Sequence, residues 1–82
     1  MLLYQVMQPS ADLSLVSQQD ALLLQQDGVY LALTPERLPK CTIYMLSQDA
    51  AARQITAPSH ITLLSDHDWV ALCLTASAVV LC

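Results

Sequence analysis

The chain has 82 residues, of which 55% are hydrophobic and only 12% are charged, whereas a typical soluble domain has about 25% charged residues. Because a chain this short buries only about 60% of its unfolded surface, we expect one domain over residues 1–82, with surplus apolar surface that meets a partner subunit, a membrane or an aggregate. The net charge of −4, with Arg37, Lys40 and Arg53 as the fixed cations, excludes the basic cluster that direct binding of nucleic-acid phosphates needs.

The first part of the chain predicts a strand, then a helix. Residues 2–7 form a short apolar run that ends before Pro9. Ser10 is predicted to cap a helix that continues to about Val16, with Asp12 in its first turn.

The stretch LLLQQDGVYLAL, residues 22–33, is compatible with two structures. Asp27-Gly28 between apolar runs is a strong signal for a hairpin turn, but it can also lead from a strand at Ala21–Gln25 into a helix. The run Ala21–Leu24 is continuously apolar, as in strands covered on both faces. A hairpin would also break the alternation of strands and helices along the rest of the chain, so the turn into a helix is favoured.

The second half of the chain continues this alternation after a connector with two prolines, residues 34–40. The predicted elements are a strand at Cys41–Leu46, a helix over residues 48–53 capped by Ser47, a strand at 61–64, a helix capped by Ser65 with Asp68 in the capping-box position, and a strand at 78–81. The alternation predicts an α/β fold, a three-layer parallel sheet of about five strands with helices on both faces and a flavodoxin-like strand order.

Neither a membrane span nor a metal site is expected. Leu2–Met7 is shorter than the apolar core of a secretory signal, and Trp69–Cys82 is shorter than the roughly 20 residues that a span needs. His60 and His67 have no further ligand at metal-binding spacing. The three cysteines include no CxxC pair, which is typical of reduced thiols in the cytoplasm.

Several segments, in their order along the chain, resemble the TusB/DsrH family. They are the ML start, Pro9, LLLQQDGVYLAL, the IYML strand and DWVALC at residues 68–73. The resemblance implies a DsrEFH-like domain that serves as one subunit of a cytoplasmic sulfur-relay complex. In TusB-type proteins this subunit joins TusC and TusD in a heterohexamer that passes persulfide sulfur towards 2-thiouridine at the tRNA wobble position. For this chain, the resemblance implies TusC-like and TusD-like partners, only indirect contact with tRNA and no cofactor.

Sulfur relay needs an exposed thiol that ionises readily. Cys41 begins a strand and so faces the edge opposite to the usual ligand edge, and Cys73 lies within a helix on the same side as Trp69. Cys82 ends the last strand, where its own carboxylate disfavours the thiolate. In DsrH-like members the sulfur-carrying cysteine follows the V-x-L segment, a position that corresponds to about Ala76 here. The resemblance therefore implies a non-catalytic subunit, with Cys82 and Cys73 as weak alternatives.

The remaining candidates each have a structural alternative. Asp27 and Gly28 could form an anion-binding pocket at a helix N-terminus or serve only as a cap and a turn. Tyr30 and Trp69 could be interface anchors or core residues. Two other functions stay open, a DsrH-like persulfide carrier in sulfur oxidation and a homo-oligomeric α/β module without a sulfur role.

Overall fold

The computed structural model describes all 82 residues and contains a five-stranded sheet in which every pair of neighbouring strands is parallel. The strands are β1 (Leu2–Val6), β2 (Ala21–Leu24), β3 (Thr42–Leu46), β4 (Ile61–Leu64) and β5 (Ala78–Leu81). The α-helices are α1 (Ser47–Ala52) and α2 (Asp66–Thr75), and two 3-10 segments cover Gln26–Leu33 and Pro35–Arg37. The predicted α/β class is confirmed.

The Asp27-Gly28 turn leads out of a parallel strand and is not a hairpin. β2 pairs in parallel with β3, and the chain passes directly from β2 into the first 3-10 segment. The helix predicted after Gly28 is therefore present as a 3-10 segment. Its three residues per turn bring Val29 and Ala32 to the same side, where both are buried.

The strand order is β4-β3-β2-β1-β5, which corrects the predicted flavodoxin-like order. In a flavodoxin-like sheet the second strand lies at an edge, whereas here β2 is central. All four of its residues are buried, because a central strand is covered on both faces. The continuous apolar run Ala21–Leu24 is therefore better explained by the observed order.

Right-handed crossovers place helices on both faces, as predicted. The chain moves in one direction across the sheet from β1 to β4, then returns past β1 to add β5. The first three connections therefore lie on one face, called here the α1 face, and α2 lies on the other, the α2 face. A cluster of 11 buried residues includes Val29 and Ala50 on the α1 face. A second cluster of 5 packs against Trp69, Leu72 and Cys73 of α2.

The predicted helix from Ser10 to Val16 is wrong, because this segment consists of turns. Asp12 accepts a hydrogen bond from the backbone N–H of Ser14 at 3.0 Å. Asp20 accepts one from the N–H of Ser17 at 3.1 Å and another from the N–H of Leu2 at 3.1 Å. Side chains that bond nearby backbone groups in this way compete with helix formation.

The two α-helices begin differently. Ser65 caps α2, since its Oγ accepts a hydrogen bond from the N–H of Asp68 at 3.2 Å, and this prediction is confirmed. Ser47 is instead the first residue of α1 and makes no capping bond, so the predicted cap is wrong. Neither helix has the length and apolar character needed to cross a bilayer.

Candidate functional site

Charged side chains meet beyond the carboxyl end of β2, where Asp27 and Gly28 lie. Arg53 donates to Asp27 Oδ1 from Nε at 3.1 Å and from Nη2 at 3.0 Å. Asp49 Oδ2 accepts from the N–H of Gln26 at 2.7 Å, and the N–H of Gly28 donates to Gln25. An anion pocket would need these donors to be free, so the arrangement disfavours the pocket and supports the turn at Gly28. The predicted cap at Asp27 is wrong, because Gln25 is the N-cap of the 3-10 segment and no side chain makes a capping bond there.

Cys73 is half-buried between α2 and the sheet. It packs against the α2-face cluster, and its Sγ accepts a hydrogen bond from Nε2 of Gln5 at 3.8 Å. Gln5 is itself buried on β1. The thiol therefore belongs to the packing of the helix on the sheet.

The other two cysteines lie at opposite ends of the parallel strands, Cys41 at the amino end and Cys82 at the carboxyl end. Cys41 precedes β3, and the pKa of its thiol is raised by burial first and then by the charge of Asp20. Cys82 follows β5, and partial burial, followed by the charge of Asp12, raises the pKa of its thiol. The thiolate, which is the nucleophilic form, is disfavoured at both positions.

The structure treats the two aromatic candidates differently. Tyr30 projects from the first 3-10 segment with 42% of its surface exposed. Trp69 packs against the α2-face cluster, and its buried Nε1 has no hydrogen-bond partner within the chain. Nε2 of Gln25 is also buried and also has no hydrogen-bond partner within the chain. The packing of Trp69 supports the core alternative for this residue and leaves Tyr30 accessible.

Two shallow clefts open on the α1 face of the sheet. One of about 420 Å³ is lined by residues that include Lys40, Cys41 and His60, and one of about 290 Å³ includes Asp12 and Arg37. His67 lies apart from them, in the first turn of α2. No three His, Cys, Asp or Glu side chains are grouped so that they could hold a metal ion.

Four large apolar side chains of α2 and β5 remain exposed, and the sequence-based candidates did not include them. We call them the α2–β5 strip: Val70, Leu74, Val79 and Leu81, with exposed fractions of 58%, 82%, 42% and 69%. Residues 69–82 contain no Asp, Glu, Lys or Arg, and depletion of charge is typical of interface cores. That uninterrupted run was the available sequence signal for this surface.

Comparison with known families agrees with the fold. A family model described as DsrH like protein matches residues 6–79, which include β2, β3, β4 and both α-helices in full. A search of the curated proteins finds no match. Since the matched region takes in nearly the whole chain, the resemblance inferred from the sequence is confirmed. The chain belongs to the DsrH-like family.

Proposed function

We propose that this chain is a structural subunit of a cytoplasmic sulfur-relay complex of the TusBCD type, which supports 2-thiolation of the tRNA wobble uridine. Membership of the DsrH-like family implies a subunit of a sulfur-relay complex. The proposal adds the tRNA branch, the TusC-like and TusD-like partners, the cytoplasmic location and the view that residues 1–82 act as one domain.

The chemistry of the cysteines carries the non-catalytic part of the proposal. A sulfur carrier needs a thiol that a donor can reach and that ionises near neutral pH. Cys41 and Cys82 have raised pKa values, and Cys73 is packed against the sheet. Ala76, at the position that corresponds to the carrier cysteine, caps the C-terminus of α2 and has no thiol.

The partners are supported by the surface and the charge of the chain. The α2–β5 strip exposes apolar side chains on the helix and the strand that close the fold. The net charge of −4 disfavours a direct grip on tRNA. Contact with the tRNA pathway through neighbouring subunits is consistent with both observations.

The hydrogen bond from Gln5 to Cys73 favours a second candidate, a DsrH-like persulfide carrier. In that case sulfur would reside on Cys73, and mass spectrometry of the complex isolated from cells would show one added sulfur atom on this residue. The structural role predicts unmodified Cys73.

Deletion of the gene tests the proposed role in cells. We expect 2-thiouridine to disappear from tRNA, measured by mass spectrometry of digested nucleosides, and to return when the wild-type chain is supplied. The chain should also copurify with TusC-like and TusD-like proteins. Unchanged 2-thiouridine together with impaired sulfur oxidation would assign the chain to the oxidation branch and contradict the proposal.

A further inference from the structure

The α2 face is only partly covered by the chain's own helix. Five strands at about 4.8 Å spacing make a sheet roughly 24 Å wide, whereas one helix with its side chains is about 10 Å across. α2 is the helix on this face, and it crosses from β4 towards β5. About half of the face therefore has no helix above it.

Part of this uncovered area lies above β5. Val79 and Leu81 pair with Leu3 and Gln5 of β1, so their side chains point to the α2 face. They are nevertheless exposed, because α2 does not reach over them. They are the part of the α2–β5 strip that lies on the sheet.

One side of α2 provides the helical part of the same strip. Val70, Cys73 and Leu74 are spaced i, i+3 and i+4 and so share one flank of the helix. Cys73 meets Gln5 of β1, the strand beside β5. The flank is therefore turned towards β5, so exposed Val70 and Leu74 lie on the side of α2 that is nearer to exposed Val79 and Leu81.

The outer edge of β5 is also open. β5 pairs with β1 on one side and with no strand on the other. Its sequence, AVVL, contains neither a charged residue nor a proline, the residues that protect sheet edges from pairing with another chain. A second chain can therefore contact both the strip and the unpaired backbone beside it.

Side-chain charges near the strip are all negative. Asp66 and Asp68 lie in the first turn of α2, directly before Val70. The N-terminal ammonium, which donates to Ser77 Oγ at 3.1 Å, lies at the amino end of β5. The three side-chain cations are elsewhere: Arg53 is paired with Asp27, and Arg37 and Lys40 line the clefts on the α1 face. A complementary surface has an apolar centre and Lys or Arg at its rim.

We propose that the α2–β5 strip and the open edge of β5 are the docking surface for a sister subunit that presents an apolar segment with a basic rim. This proposal rests on the proposed function for the existence of that subunit. A second copy of this chain would bring the same acidic rim and a charge of −4, which disfavours self-association. Four side chains also make a smaller surface than the roughly 800 Å² per partner of a stable interface, so the partner must extend beyond the strip.

The test is copurification of the tagged chain with the TusC-like and TusD-like proteins of the same genome. Leu74→Glu and the double variant Leu74→Glu, Leu81→Glu place charge in the strip. Leu33→Glu is the matched control, because Leu33 is also largely exposed, at 63%, but lies on the α1 side. Circular dichroism checks that all variants fold, and the single variant at Leu74 keeps β5 intact.

We expect the strip variants to lose affinity for the partner by about tenfold or more, while the control binds like wild type. Binding of the wild type should weaken as salt is raised, because the rim contacts are charged. If wild type and strip variants copurify equally, the docking surface is wrong and the proposed function stands. If wild type captures no sister subunit, both proposals fail. A homodimer broken by Leu74→Glu would then identify a second copy as the occupant.

Discussion

A Cβ atom placed on Gly28 would lie 1.9 Å from the carbonyl oxygen of Val6. The start of the first 3-10 segment therefore rests directly on the carboxyl end of β1, and only a residue without a side chain allows this approach. The contact explains why Asp27-Gly28 leads into a buried segment instead of a hairpin.

Gly28→Ala should destabilise the fold, because the backbone of β1 or of the 3-10 segment must move to relieve the overlap. We expect a loss of about 1–3 kcal/mol in the free energy of unfolding, measured by urea denaturation. Asp27→Ala is the neighbouring control, since it removes an exposed ion pair that contributes about 1 kcal/mol or less. Equal stability of Gly28→Ala and wild type would show that this close contact is absent.

The two serines at the starts of the helices should respond differently to alanine. Ser65→Ala removes the acceptor for the N–H of Asp68 and should cost about 1 kcal/mol. Ser47→Ala, in α1, removes no capping bond and should leave the unfolding free energy almost unchanged. Thermal denaturation of both variants measures the difference, and a larger loss at Ser47 would refute the assignment of the caps.

Asp20 should contribute to acid sensitivity. The N–H groups of Ser17 and Leu2 hold the pKa of its carboxyl below the ordinary value of 3.8. Because the folded-state pKa is lowered, this stabilisation is fully present above the ordinary value and is lost as the pH falls from that value through the lower pKa of the folded state. The melting temperature of wild type should therefore fall between about pH 5 and pH 3 more steeply than that of Asp20→Asn. Parallel pH profiles for the two proteins would contradict this linkage.

The thiol of Cys82 should react slowly with alkylating reagents although it is exposed. Partial burial and the nearby charge of Asp12 raise its pKa above the ordinary value of 9.0, so less thiolate is present at neutral pH. Alkylation by iodoacetamide, followed by mass spectrometry of peptides, should be slower at Cys82 than for free cysteine. Asp12→Asn should accelerate it. Faster reaction of wild-type Cys82 than of free cysteine would favour a carrier role.

Much of the fold could be predicted because local patterns encode it. The continuous apolar run Ala21–Leu24 predicts a strand covered on both faces, and the alternation of strands and helices predicts a parallel sheet. The order of the strands could not be predicted from local patterns, because it depends on contacts between strands that are far apart in the sequence. The failed helix after Ser10 reflects side-chain bonds from Asp12 and Asp20 to backbone groups that a pattern of residue types does not specify.

The candidate site was less accessible to sequence reasoning. The low charge predicted a partner surface, but its position depends on α2 covering only part of one face. Exposed Leu81 looks like a core residue in the sequence, and only the strand order shows that it lies in an edge strand. Leu74 is exposed because the sheet is contacted by a different side of α2, which carries Trp69. The bond between Gln5 and Cys73 joins residues 68 positions apart, a separation at which local spacing gives no signal.

Sulfur transfer by a complex that lacks every thiol of this chain tests the central claim most directly. Cys41, Cys73 and Cys82 are replaced together by serine, assembly with the TusC-like and TusD-like subunits is verified, and 2-thiouridine in tRNA is quantified. The proposed structural role predicts a level close to that of wild type. An assembled complex that no longer supports 2-thiouridine formation would show that this chain carries sulfur itself.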